Sequence, residues 1–366
     1  MEHVDAEPAC AVPRASRLCA QSTVPSTPDR SPPEPSAGYP EGWFAVAFSH
    51  QLRPGRVVSA RLAGRPVVVW RDAENRVLVS GAYCPHLGAH LGHGGRVVDG
   101  LLRCPFHGFR FDGSGACVDT PSGAPPPSGR LQMMRTREVN GMVLVHAPAA
   151  DAPAGEAPGW EVEGLPDDGE WLPNRTRTWR VRCHLHDIAE HAVDTNHLWA
   201  MHLLGRLTEV QPVRFEGPRL RTAYDAVQFL PRPFPSRGLV RARFSINAEG
   251  LGFIVGDVQV RTPWYSPVVR LVMAATPVTP HSVDLRVSAR LRRTSPCGAA
   301  RLLTPAVRVA DRVAARIAIF LFAREVGAEV RIWEHKAYLD DPSLIEPDAG
   351  IRAHRAWSRQ FYSRGR

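Results

Sequence analysis

Cys84-Pro-His-Leu-Gly-Ala-His-Leu91 and Cys104-Pro-Phe-His-Gly-Phe-Arg-Phe-Asp112 are the two stretches that decide how the chain is read. Each offers one thiolate and one imidazole, Cys84 with His86 and Cys104 with His107, and seventeen residues separate the halves. Zinc sites usually draw their ligands from paired C-x₂₋₄-C and H-x₃₋₅-H units, so an interleaved Cys-x-His and Cys-x₂-His set is unusual for zinc. It suits a [2Fe–2S] centre in which two cysteines hold one iron and two histidines replace cysteines on the other, raising the reduction potential. Gly88, Gly108 and Pro105 fit tight ligand loops whose backbone N–H groups point at cluster sulfurs. His90 and His93 fall outside this pattern and read as neighbouring or solvent-exposed histidines. Cys117 reads as a small buried hydrophobe.

Working outward, short β-like segments alternate with turn signals from Tyr39 to about His146. Arg56 to Leu62, Pro66 to Trp70 and Arg76 to Val79 are examples, with a turn at Asp72 to Asn75. Residues 1–37 are rich in Pro, Ser, Ala and Glu and read as a disordered leader. The Ala, Pro, Asp and Gly of 147–159 suit a linker. Beyond it, Trp179 to Leu204 has no proline and reads in part as helix. Val283, Leu285, Val287, Ala289 and Leu291 alternate with polar residues as in a half-buried strand, and Ala242, Phe244 and Ile246 do the same. Val307 to about Trp333 carries apolar residues at helical spacing and predicts a long closing helix. The fold class expected is α+β: an N-terminal all-β domain over 38–148, a linker at 149–159 and an antiparallel sheet flanked by helices over 160–366.

The second part holds a second constellation. Asp194, His197 and His202 form Asp-x₂-His-x₄-His. Asp194 and His197 share a helical face, whereas His197 and His202 would diverge by about 140° on a straight helix. One iron could take both only where the helix ends or distorts, and Gly205 is compatible with such an ending. Alone, the pattern is weak, because a helical core histidine is commoner than a ligand.

Composition narrows the function classes. The 366 residues carry a formal net charge of +9, and Lys336 is the single lysine, so the basic balance comes from arginine. Those arginines are dispersed over the chain, which argues for a solvated surface and against a nucleic-acid partner. Seven cysteines at 10, 19, 84, 104, 117, 183 and 297 lack the even, dense spacing of a secreted disulfide scaffold. The first twenty residues do not read as a signal peptide. The longest apolar run, Ile317 to Ala323, is far short of the ~20 residues that span a bilayer. A cytoplasmic location without stable membrane insertion is the resulting expectation.

The two ligand loops, with the Gly113-Ser-Gly-Ala-Cys117 turn, resemble the Rieske non-haem iron oxygenases, and the likeness extends over about residues 39 to 362. The tail segments Lys336 to Pro342 and Trp357 to Tyr362 resemble the subgroup of 3-ketosteroid 9α-hydroxylases and cholesterol 7-desaturases. The resemblance implies a Rieske β domain followed by a catalytic domain with a helix-grip type antiparallel sheet. It implies a [2Fe–2S] cluster on Cys84, His86, Cys104 and His107, and an Fe(II) held by His197, His202 and a carboxylate in a facial triad. That carboxylate aligns with Glu329 in Ala328-Glu-Val-Arg-Ile-Trp333, where steroid-acting members carry the shorter aspartate. Glu325, one turn earlier, is the substitute. Asp194 resembles the family's bridging aspartate, which couples an iron-ligating histidine to a cluster histidine, here His107, of a neighbouring subunit in a homotrimer.

The implied chemistry is dioxygen-dependent oxidation of a C–H bond in a bulky apolar, polycyclic or steroid-like substrate. Oxidative cyclisation or desaturation of a secondary metabolite is the alternative. No G-x-G-x-x-G follows a strand, so a separate ferredoxin or flavin reductase must donate the electrons. A non-catalytic Rieske electron carrier would need the first constellation alone, and a zinc-binding interaction module would lack visible colour.

Overall fold

The computed structural model of the chain describes residues 38–149, 158–201, 204–229, 239–261, 266–294 and 304–362. The leader, most of the linker and His202 lie outside these residues. The first part consists of β1 (Gly42–Phe48), β2 (Val58–Leu62), β3 (Arg65–Arg71), β4 (Val77–Gly81), β5 (Arg96–Val98), β6 (Leu101–Arg103), β7 (Arg110–Phe111), β8 (Cys117–Asp119), β9 (Thr136–Val139) and β10 (Met142–Ala147). They form three antiparallel sheets ordered β1-β10-β9, β2-β3-β4 and β5-β6-β7-β8. Three hairpins turn on the dipeptides Ala63-Gly64, Asp99-Gly100 and Asn140-Gly141, in which both residues have positive φ. Such turns match the right-handed twist of the strands they join.

The second part is one seven-stranded antiparallel sheet in the order β11-β17-β16-β15-β14-β13-β12. Its strands are β11 (Arg175–Val181), β12 (Leu204–Glu216), β13 (Arg219–Phe229), β14 (Leu239–Glu249), β15 (Phe253–Arg261), β16 (Val268–Thr279) and β17 (Ser282–Leu291). Two short helices, α1 (Leu185–Ala189) and α2 (Thr195–Met201), fall between β11 and β12, and α3 (Thr304–Trp333) and α4 (Ala349–Ser358) follow the sheet. The expected α+β class, the β14 alternation and the long closing helix are all present. Trp179 belongs to β11 and Gly205 to β12.

Strand β1 binds the two parts together. All seven of its residues are buried. Phe44 and Val46 enter one core with Val283, Leu285 and Val287 of β17, while Trp43 and Ala45 enter another with Phe253, Val255 and Val272. Side chains of alternate parity therefore fill different cores, as the period of two requires. A register shift between Ala45 and Ala47 interrupts the pairing with β10. There the Ala45 carbonyl accepts hydrogen bonds from Thr276 Oγ1 at 2.5 Å and Arg286 Nη1 at 3.0 Å.

This contact corrects the reading of β17 as half-buried. Its polar residues Asp284, Arg286, Ser288 and Arg290 are buried as well. The face expected to meet water is covered by β1 and by the segment around 165–171, and its charges are paired there. Arg290 meets Asp167 at 2.5 Å, and Arg270 and Arg290 both stack on Trp171.

Buried His146 on β10 packs edge-on against Trp43, with ring centroids 5.4 Å apart. Burial pulls its pKa from 6.5 down to about 4, so the fold requires the neutral ring. A depressed folded-state pKa gives stability that is complete above pH 6.5 and drains away as the pH falls toward 4. Allowing for partial solvent screening, the loss is about 2 kcal/mol. Urea unfolding at pH 7 and pH 4.5 should show His146→Phe losing less stability on acidification than the parent. Equal losses would remove His146 from this role.

Candidate active site and metal centres

In the first domain the two ligand loops are built alike. Cys84 N–H donates to the Ala89 carbonyl at 2.9 Å and Gly88 N–H to the Cys84 carbonyl at 2.9 Å. Cys104 N–H likewise donates to the Phe109 carbonyl at 2.8 Å and Gly108 N–H to the Cys104 carbonyl at 3.1 Å. Gly88 and Gly108 close these turns at φ +72° and +73°, a conformation that disfavours other residues. A Cβ at Gly108 would also come within 2.8 Å of Pro121.

Cys84 and Cys104 are buried, whereas His86 and His107 are exposed with their rings 4.8 Å apart. His86 stacks on Phe109 at 4.5 Å. Burial and the neighbouring Cys104 thiol push Cys84 up to about 11, so two thiolates here need cationic metal beside them. This donor set, with two inner sulfurs and two outer imidazoles, fits a [2Fe–2S] cluster of mixed ligation. The His90 and His93 rings lie against each other at 4.5 Å, tilted by 55°, and Cys117 is buried. His107→Cys should abolish or shift the visible spectrum of the cluster. An unchanged spectrum would exclude His107 as a ligand.

The second centre is assembled where α1 gives way to α2. Buried Asp187 helps start α1, accepting the His184 N–H at 3.1 Å. A 3-10 turn at Glu190–Ala192 follows, and then Asp194. Asp194 Oδ1 accepts the backbone N–H of His197 at 3.2 Å, as an N-cap does. Asp194 therefore stands at the start of α2, with His197 in the first turn. Its other oxygen, Oδ2, lies 3.5 Å from His197 Nδ1. Burial alone would raise the Asp194 pKa, but the hydrogen bonds and charge of His197 more than offset it and hold the carboxyl below its usual range.

The opposite nitrogen of the ring, His197 Nε2, is 3.7 Å from Glu329 Oε1. Glu329 is buried on α3 among Val326, Val330 and Trp333. Its second oxygen is 3.5 Å from Nδ1 of His191, whose ring lies 4.3 Å from that of His197. His191, His197 and Glu329 each present one ligand-type atom within 4.8 Å of the others. Two imidazoles and a carboxylate are the donor types of a non-haem Fe(II) site, so the residues fit such an ion. His202 lies outside the described residues. Glu325 is hydrogen-bonded by its neighbour Arg324 at 3.1 Å, and Glu329 is the carboxylate that stands with the histidines. His191 was not singled out by spacing: it comes three residues before Asp194, and the 3-10 turn brings it in.

Two of these groups, His191 and Glu329, face a cavity of about 270 Å³ between α3 and β13 to β16. His191 and Glu329 line it together with Leu198, Tyr224, Phe244, Val258, Leu271, Met273, Leu321 and Phe322. Two further acids line it: Asp257 is held by Arg270 through two bonds of 2.7 and 2.8 Å, and Glu325 by Arg324. The remaining lining is mostly apolar.

A cysteine-histidine cluster domain ahead of a helix-covered sheet with a two-histidine, one-carboxylate constellation defines a Rieske-type oxygenase, and sequence comparison agrees. Residues 42–136 match the Rieske [2Fe-2S] domain family, and residues 146–362 match the 3-ketosteroid 9alpha-hydroxylase C-terminal domain family. The chain belongs to this family of Rieske oxygenases. It is 30% identical over 347 residues to a protein of Xenopus laevis named cholesterol 7-desaturase nvd, covering 89% of this chain and 72% of that one. It is 28% identical to a probable 3-ketosteroid-9-alpha-monooxygenase oxygenase component of Rhodococcus rhodochrous, covering 91% and 81%. Among solved structures, apo dicamba monooxygenase superposes with a TM-score of 0.60 at 19% identity, covering 87% of this chain and 95% of that one. NdmB of Pseudomonas putida CBB5 gives 0.61 at 15%, covering 87% and 89%. These structural likenesses concern the fold. No helix among the described residues is long and apolar enough to cross a membrane.

Proposed function

We propose that the chain is the terminal oxygenase component that oxidises a C–H bond of a bulky, apolar, steroid-like substrate. In this reading Fe(II) is held by His197, His202 and Glu329, with His191 beside it, and the chain divides into a Rieske domain at 38–148 and a catalytic domain at 160–366. The single observation that carries the proposal is that His191 and Glu329, which group with His197, line a largely apolar cavity. Relatives named for cholesterol and 3-ketosteroids favour a polycyclic substrate.

When bound, the iron supplies dioxygen activation, and the overall change consumes O2, two electrons and two protons to give oxidised substrate and water. The residues do the rest. Tyr224, Phe244, Leu321 and Phe322 hold the hydrocarbon skeleton and exclude water, fixing which C–H bond faces the ligands. The Asp194 carboxylate, 3.5 Å from Nδ1, orients the His197 ring, which leaves Nε2 as the ligand nitrogen beside Glu329. We infer a homotrimer in which His107 of a neighbouring subunit reaches Asp194, with a ferredoxin or reductase as electron donor. Heterologous contacts of that kind close into rings.

The test is anaerobic reconstitution with Fe(II), a ferredoxin and its reductase, then ¹⁸O₂ and a panel of 3-ketosteroids and sterols. Hydroxylation would place one labelled atom in the product; desaturation would remove two hydrogens without label. A protein that accepts electrons and oxidises no member of any apolar polycyclic panel would support the electron-carrier reading instead.

A further inference from the structure

Glu190, the residue before His191, belongs to a second group of ligand-type side chains. His186 on α1, Glu190 and His354 on α4 are all buried, and each presents one ligand-type atom within 4.8 Å of the others. They are 6%, 7% and 1% exposed.

The hydrogen bonds leave vacant donor and acceptor positions. His186 Nε2 shares a hydrogen bond of 3.0 Å with the Tyr362 hydroxyl, while its Nδ1 has no partner. His354 Nδ1 also has none. Leaving such nitrogens unsatisfied in the interior destabilises the fold unless something binds them. Burial holds both rings in the neutral form, His354 at about 4 and His186 well below 6.5, and neutral imidazole is the form that binds metal. Arg355 grips Glu190 Oε1 at 2.6 Å but Oε2 only at 3.4 Å, so Oε2 is the oxygen able to turn toward the rings. An outer hydrogen bond on a ligand imidazole, here from or to Tyr362, and a cation behind a ligand carboxylate are the usual supports of a metal site.

We propose that His186, His354 and Glu190 form a structural divalent-metal site, of zinc type, separate from both iron sites. Two imidazoles and a carboxylate suit zinc, with water completing four-coordination. The metal would tie α4 and the Tyr362 end of the chain to the turn that carries His191, bracing one wall of the oxygen-reactive centre. The proposal stands whether or not His197 and Glu329 hold iron.

The test uses the full-length holoprotein, produced with zinc in the medium and analysed for metals after exhaustive dialysis. One zinc per chain is expected in addition to iron. His354→Phe and His186→Gln should each lose it while retaining the visible spectrum of the cluster, which reports folding. Glu329→Ala, altered at the other centre, should keep it. Zinc-edge X-ray absorption of the unmutated protein should show nitrogen and oxygen neighbours at ~2.0–2.1 Å and no sulfur. The proposal is overturned by absence of zinc after zinc supplementation, by sulfur in its first shell, or by zinc that survives both histidine substitutions or leaves with Glu329→Ala.

Discussion

Glu329→Ala should purify with an unaltered cluster spectrum, lose its mononuclear iron and show no substrate oxidation above background. The carboxylate is buried on α3 with an oxygen 3.5 Å from His191 and another 3.7 Å from His197. Removing even a group outside the ligand set of a metal typically costs 10–100-fold in affinity. Loss of an anionic ligand from a site of two neutral imidazoles should therefore exceed about a hundredfold. Glu329→Asp, one methylene shorter, should recover part of the iron if the backbone of α3 can approach. Iron analysis of the three proteins after identical Fe(II) loading checks this, and full iron content in Glu329→Ala would remove Glu329 from the ligand set.

Asp194→Asn should behave differently, keeping both metals and a reducible cluster while oxidation falls by orders of magnitude. Asparagine is as good an N-cap as aspartate, so α2 and the His197 N–H should remain in place. What changes is the carboxylate 3.5 Å from His197 Nδ1. Its negative charge raises the basicity of the ring and fixes its tautomer. The proposed path to His107 of a neighbouring subunit would also lose its charged link. Single-turnover experiments separate the effects: cluster reduction by dithionite should be normal, and cluster reoxidation in the presence of substrate should be slow. If Asp194→Asn loses iron while Glu329→Ala keeps it, the two carboxylates exchange roles and Asp194 becomes the third ligand.

Sequence reasoning reaches different depths in the two domains. Cys84, His86, Cys104 and His107 stand out because their chemistry and their loops coincide within a few residues, and local turn geometry completes the arrangement. Asp194 and His197 were readable as neighbours from their spacing, although the relation is that of cap to first turn and not two positions inside one helix. Glu329, 132 positions beyond His197, was reached through the resemblance of Glu329-Val-Arg-Ile-Trp333, since no period links α2 to α3. His191 stayed hidden because a 3-10 turn changes the direction of the chain between it and His197. The cavity was illegible for a similar reason: its walls come from four strands, α2, α3 and the 3-10 turn, segments far apart in sequence. Burial on both faces of β17 depends on β1, some 240 residues earlier, whose Ala45 carbonyl receives Arg286. Binary patterning records polarity, and it does not record which polar residues find partners in the interior.

On this reading one chain carries a mixed-ligand [2Fe–2S] cluster and a separate iron. Iron and acid-labile sulfide counts on anaerobically purified, Fe(II)-loaded protein, taken with its visible spectrum, test it most directly. Three irons and two sulfides per chain are expected, with a Rieske-type absorption that bleaches on reduction and Glu329→Ala falling to two irons at unchanged sulfide. Protein that contains zinc at Cys84 and Cys104, without sulfide or visible colour, would contradict it.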